Sequence, residues 1–184
     1  LLPMLQGITR YDPAPMVRVP WNDPAIIMKS LDAGAYGIIC PMINTAAECE
    51  SFVGACRYAP RGYRSTGPIR AVFYAGTDYH ENADKTILTF AMIETQEAVD
   101  NLNGICSVPG LDAVYIGPSD LSVSIGGSPG GDQRAPDVMN RIEQTLEACH
   151  RHGIKAGIHA MSSDYANEML EKGFDLVTLS SDFR

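Results

Sequence analysis

The stretch Leu88-Thr89-Phe90-Ala91-Met92-Ile93-Glu94 decides the fold. Its apolar run, Phe90 to Ile93, has no alternation, which reads as a strand buried on both faces, and it stops on a carboxylate. Leu111 to Ile116 repeats the pattern and passes through Gly117-Pro118-Ser119 to Asp120. A polar residue at the end of a buried strand marks the catalytic rim of a β/α barrel.

Outward from these two strands, short apolar runs alternate with helical patterns. Residues 16–19 form a strand, then Asn22-Asp23 caps a helix over residues 24–32 that Gly34 closes. Residues 37–42 read as a strand, and Thr45 with Glu48 makes a capping box for a helix running to about Tyr58. Residues 61–79 read mostly as loop, with a helix near residues 81–85. Residues 95–102 are helical and residues 126–131 a flexible loop. A long helix over residues 136–152 carries Ile142, Leu146 and Cys149 on one stripe. A strand at residues 155–159, a helix at residues 163–172 ending on Gly173, and a strand at residues 176–179 complete the chain.

Six βα units fit a doubly wound sheet or three quarters of an eight-fold barrel. No GxGxxG follows a strand, which lowers the dinucleotide-binding version. Arg18, Glu94, Asp120, His159 and Asp182 all fall where strands end, which favours the barrel. The expected class is α/β, a TIM (β/α)₈ barrel, with residues 1–184 as one domain.

The 184 residues carry 45% hydrophobic and 20% charged side chains and a net charge of −8. That balance argues against nucleic acid and anionic membrane as partners. No run approaches the length needed to span a bilayer. The five cysteines are odd in number and form no CxxC pair, so they read as reduced thiols in a cytoplasm. Leu1-Leu2-Pro3-Met4 does not resemble a signal peptide.

Glu94 and Asp120, at the ends of neighbouring strands, share one space in which both cannot stay charged unneutralised. A hard divalent cation with oxygen ligands resolves the repulsion. Helix capping or pairing with a nearby base resolves it equally well. Arg18 suits either an oxyanion or a structural salt bridge. The turn from Gly117 to Asp120 offers the Ser119 and Asp120 amides to a carboxylate, or is a plain βα turn. His150 and His152 point to different helix faces, His80 sits in a loop, and His159 stands at a strand end beside any rim pocket. None of Lys29, Lys85, Lys155 or Lys172 falls where an imine-forming lysine would be needed.

Four ordered motifs, VRVPWND (residues 17–23), PMINTAAECESFVGACRYAPRGYRS (residues 41–65), MIETQEAVDNL (residues 92–102) and LDAVYIGPSDLSVSIG (residues 111–126), resemble the HpcH/HpaI aldolase family. These are class II pyruvate aldolases, including 4-hydroxy-2-oxoheptanedioate and 2-dehydro-3-deoxyglucarate aldolases, related to the citrate lyase β subunit. The resemblance implies a barrel assembled as a homohexamer and a role in aromatic or sugar acid catabolism. It also implies that the chain starts inside the second helix, with two strands before it and further C-terminal helices after it. Glu94 and Asp120 would ligate the cation (Mg²⁺ or Mn²⁺, with Co²⁺ a further option). Arg18 would contact the keto oxygen of pyruvate. Gly117, Pro118, Ser119 and Asp120 would hold its carboxylate.

The implied reaction is reversible cleavage of 4-hydroxy-2-oxo acids to pyruvate and an aldehyde through a pyruvate enolate. The family's base, a His supported by an Asp, falls in a segment before these motifs. Met92 stands where the best-known members carry Gln. A citramalyl- or malyl-CoA type thioester lyase, or a barrel that binds 2-oxo acids without turnover, are the alternatives.

Overall fold

A computed structural model describes residues 1–8, 10–67 and 70–181. Its six strands are β1 (Met16–Arg18), β2 (Gly37–Cys40), β3 (Leu88–Ile93), β4 (Ala113–Ile116), β5 (Lys155–Ala160) and β6 (Leu176–Leu179). They pair in parallel and strictly in chain order. That order separates the two architectures, because a doubly wound sheet reverses direction at a switch point. Here every crossover moves one strand onward, and right-handed crossovers then keep the helices on one face.

The two faces of the sheet confirm the curl. Ile38, Cys40, Ala91, Ile93, Val114, Ile116, Ala156 and Ile158 share one core with Leu31, Phe52, Ile105, Ile142, Tyr165 and Met169 from the helices. Ile39, Phe90, Met92, Ala113 and Tyr115 form a separate cluster with Met16 and Leu176 and no helical residue. Successive strand residues alternate between these two clusters, as a period of two requires. The result is a curled six-stranded parallel half-barrel with helices outside. No helix among the described residues is long and apolar enough to cross a membrane.

Most helix boundaries follow from capping. Asp23 Oδ1 accepts from the Ala25 amide at 2.8 Å to start α2 (Pro24–Asp32), with Pro24 in the first turn; α1 (Leu2–Ile8) precedes it. The capping box holds for α3 (Ala46–Cys56): Thr45 Oγ1 accepts from the Glu48 amide, and Glu48 Oε2 accepts from the Thr45 amide. Residues 61–79 are less irregular than expected, since α4 (Arg70–Ala75) lies within them and α5 (Tyr79–Thr86) begins at their end. The helix expected over residues 95–102 is two, α6 (Gln96–Asp100) and α7 (Leu102–Cys106), which meet at Asn101. There the Asn101 side-chain Nδ2 donates to the Asn44 carbonyl at 2.9 Å, while its backbone N–H still bonds back into α6. Beyond them lie α8 (Pro118–Ser124), α9 (Pro136–His152) and α10 (Ser163–Lys172). Gly153 and Gly173 close the last two with positive φ. The strand expected to reach residue 42 stops at Cys40, because Met42 takes φ 55°. Asp182 lies outside the described residues.

The strand starts are tied by a buried guanidinium. Arg57, just past α3, donates from Nη1 to the Ile87 carbonyl at 2.7 Å and from Nη2 to Gly110 O at 3.0 Å and Asp112 Oδ2 at 2.7 Å. The same Asp112 oxygen accepts from the Thr89 amide at 2.8 Å. This is why β4 begins at Ala113 and not at Leu111. Removing one partner of such a pair strands the other charge. Arg57→Ala is expected to lower the unfolding free energy by about 3 kcal/mol, measured by urea titration.

Candidate active site

Alternation along β3 turns Phe90 and Met92 inward, so the next inward position after the strand is Glu94. Alternation along β4 turns Ala113 and Tyr115 inward, so the neighbouring position is Gly117. The register therefore sets Glu94 beside Gly117. Glu94 is 1% exposed. Its Oε1 accepts from the Met42 amide at 2.8 Å, and the left-handed backbone of Met42 is what turns that amide toward it. Oε2 is buried with no hydrogen-bond partner. A Cβ on Gly117 would come within 2.6 Å of that oxygen, so only glycine admits the carboxylate here.

Asp120 lies in the first turn of α8 and lines a cavity of about 240 Å³ together with Arg18, Met92, Tyr115, Gly117, Pro118, Ser119 and His159. Of the rim residues singled out in the sequence, Arg18, Asp120 and His159 thus meet at one place, with Glu94 sealed against the Gly117 wall. Neither carboxylate serves as an N-cap, since Thr95 caps α6 and Gly117 precedes α8. Arg18 enters no ion pair among the described residues. Burial pushes the Glu94 carboxyl above its ordinary range and the Asp120 charge pushes it further, while the Met42 amide and Arg18 oppose them.

A buried carboxylate oxygen without a partner, close enough to a second carboxylate to feel its charge, is a donor set that fits a cation. No cluster of three or more His, Cys, Asp or Glu suited to a metal occurs among the described residues. Two carboxylates leave most positions of a hard cation to water and substrate, the pattern Mg²⁺ tolerates best.

The model for the family described as HpcH/HpaI aldolase/citrate lyase matches residues 1–184. The chain belongs to this family. It is 44% identical over 180 residues to a hydroxypyruvate/pyruvate aldolase of Rhizorhabdus wittichii, covering 98% of this chain and 72% of that protein. A 5-keto-4-deoxy-D-glucarate aldolase of Escherichia coli is 35% identical, with 98% and 71% covered. Among solved structures, an HpcH/HpaI aldolase/citrate lyase family protein of Burkholderia cenocepacia superposes with a TM-score of 0.85 at 32% identity, over 92% of this chain and 68% of that one. The aldolase names of these relatives support an enzyme of the HpcH/HpaI lyase family.

Within this HpcH/HpaI chain, one group on the cavity wall was not legible beforehand. Tyr115 Oη meets Thr178 Oγ1, and Thr178 Oγ1 lies 3.0 Å from His159 Nδ1. Gly157 makes room for the Tyr115 ring, since a Cβ there would sit 3.0 Å from it. All three polar residues occupy inward positions of β4, β5 and β6, and that alternation is the signal that finds them. Of the two irregular stretches, residues 126–134 adjoin the rim. The Gly130 amide donates to Ser119 Oγ at 3.3 Å, and Asp132 Oδ1 accepts from the Met161 amide at 2.7 Å. Residues 64–67 and 70–79 do not adjoin it within this chain. They link α3 to the start of β3 at the opposite end, where Arg64 is buried against Asp32 and Tyr79.

Two outcomes test this geometry. Gly117→Ala is expected to displace the Glu94 carboxylate and weaken Mn²⁺ binding at least about tenfold by calorimetric titration, with an unchanged far-UV spectrum. The second concerns pH. Glu94 holds its proton more tightly when folded, so its stabilising contribution is present below the ordinary value of 4.5 and is lost as pH rises through the higher folded-state value. With chelator present, Glu94→Gln is expected to raise the urea midpoint above wild type at about pH 7 and to bring no gain at about pH 4.

Proposed function

We propose that this chain is a divalent-metal-dependent aldolase that reversibly cleaves 4-hydroxy-2-oxo acids to pyruvate and an aldehyde. The observation that carries the reading is the partnerless, buried Oε2 of Glu94 beside Asp120 and Arg18 at the strand ends. The relatives' names, hydroxypyruvate/pyruvate aldolase and 5-keto-4-deoxy-D-glucarate aldolase, point to the same chemistry.

Glu94 and Asp120 would hold the cation, Mg²⁺ or Mn²⁺. When bound, it supplies Lewis-acid polarisation of the 2-keto group. Arg18 donates to the same keto oxygen and stabilises the negative charge that grows there as the C3–C4 bond breaks. The substrate carboxylate sits at the Gly117–Asp120 turn. Pro118 has no N–H, so the Ser119 and Asp120 amides are the donors. First-turn amides have no acceptor within their own helix. Met92 and the Tyr115 ring exclude water from one wall. The proton on the C4 hydroxyl passes to a base outside these residues, proposed to be the His of the family's preceding segment. We place residues 1–184 in one barrel domain, in a homohexameric, cytoplasmic enzyme.

The test is pyruvate release from 4-hydroxy-2-oxo acids by the full-length protein with Mg²⁺ or Mn²⁺, then with chelator, and again with Asp120→Ala. Loss of roughly a thousandfold in both cases is expected. Activity surviving both removes the metal mechanism. Intact cation binding with no pyruvate release moves the assignment to a thioester lyase or to a binding protein.

A further inference from the structure

Two side chains belong both to the cavity wall and to the apolar interior of the half-barrel. Met92 and Tyr115 line the cavity beside Arg18 and the 117–120 turn, and they also pack with Ile39, Phe90, Ala113 and Leu176 below it. They form the floor that separates the site from the barrel interior. Met92 is tucked under the turn, where its Cε lies 3.1 Å from the place a Gly117 Cβ would take.

Tyr115 fills the rest of that floor alone. The register sets Met92, Tyr115, Gly157 and Leu176 side by side on β3 to β6. Gly157 has no side chain, and the inward position before Tyr115 on its own strand is Ala113. The ring leans over Gly157, where a Cβ would sit 3.0 Å from it, and its hydroxyl reaches Thr178 on β6. One aromatic ring thus occupies space that three inward positions would otherwise share. Cores are packed with few voids, so cutting the ring away leaves room that such small neighbours do not refill.

We propose that the Tyr115 ring sets the depth of the site and restricts the aldehyde partner to short chains. This rests on the aldolase reading above. With the oxo acid held by Arg18, Asp120 and the 117–120 turn, the cavity residues that face the aldehyde are Met92, Tyr115 and His159. A chain growing from the aldehyde carbon meets the ring. The space behind the ring suits alkyl groups, because the cluster there is apolar.

The experiment measures kcat/KM for aldol addition of pyruvate to pentanal and to acetaldehyde by the full-length holoenzyme with Mn²⁺. Wild type is expected to favour acetaldehyde. Tyr115→Ala should raise the pentanal-to-acetaldehyde ratio at least about tenfold, the scale of two buried methylenes. Tyr115→Leu should raise it less, and Tyr115→Phe should leave it unchanged because the ring remains. Each ratio is internal to one preparation, so partial misfolding cancels. A ratio that neither Tyr115→Ala nor Tyr115→Leu moves overturns the proposal. An equal rise in Tyr115→Phe overturns it too, since the Thr178 contact and not the ring would then set the limit. A second series keeps acetaldehyde and replaces pyruvate with 2-oxobutanoate and 2-oxopentanoate, and Tyr115→Ala is expected to leave it unchanged. A gain there as large as in the aldehyde series, or in its place, gives the space to the oxo acid and overturns the assignment. A wild-type ratio near one overturns this proposal and leaves the aldolase reading standing. Wild-type protein that condenses pyruvate with no aldehyde overturns that reading and this proposal with it.

Discussion

Glu94 keeps a carboxylate where water does not reach it, with one oxygen satisfied by a main-chain amide and the other by nothing in the chain. Much of the rim is arranged around that one group. Met42 leaves extended geometry to supply the amide. Gly117 gives up a side chain so that the second oxygen fits. Asp120 adds a like charge from the next strand end, and Arg18 supplies the opposing one. A buried carboxylate in this position is costly in isolation, which supports the proposal that a cation offsets the cost.

The molecule divides its labour between its two ends. At the strand starts, the buried guanidinium groups are paired: Arg57 has three acceptors, and Arg64 is enclosed by Asp32, Tyr79 and the Tyr58 ring. At the strand ends, polar groups line open space, and Arg18 enters no ion pair among the described residues. Barrels follow this division generally, with stability at one face and chemistry at the other. It also explains why Arg64 and Tyr79 serve packing and not the rim.

How much was legible in the sequence depended on whether a residue's role is set by its own strand or by its neighbours. Glu94 stood out because a charge straight after an apolar run contrasts with everything before it, and Asp120 because it is the first charge after the β4 run and its turn. The capping box at Thr45 and Glu48 was legible because it is local. Tyr115 was not, since an aromatic residue inside a buried strand looks like core until the adjacent strand brings Thr178 within reach. Gly117 looked like a turn residue, and its close approach to Glu94 depends on pairing across the sheet. The side chain of Asn101, where the two helices meet, binds a carbonyl at Asn44, far away in the chain. Non-local contacts of this kind leave no periodicity to read.

Asp112 joins these two ends in a way that bears on precision. Its carboxylate grips the first residues of β3, its main chain accepts from Lys155 at the start of β5, and its own strand begins immediately after it. A slip of one residue between β3 and β4 would turn Met92 and Tyr115 outward and part Glu94 from Gly117. Asp112 therefore works like a datum pin in a machined assembly: fixed at one end of two rods, it sets the tolerance at the other. The fit at the rim is only as fine as the alignment held at the base, so the accuracy of the chemistry is anchored at the far pole of the fold.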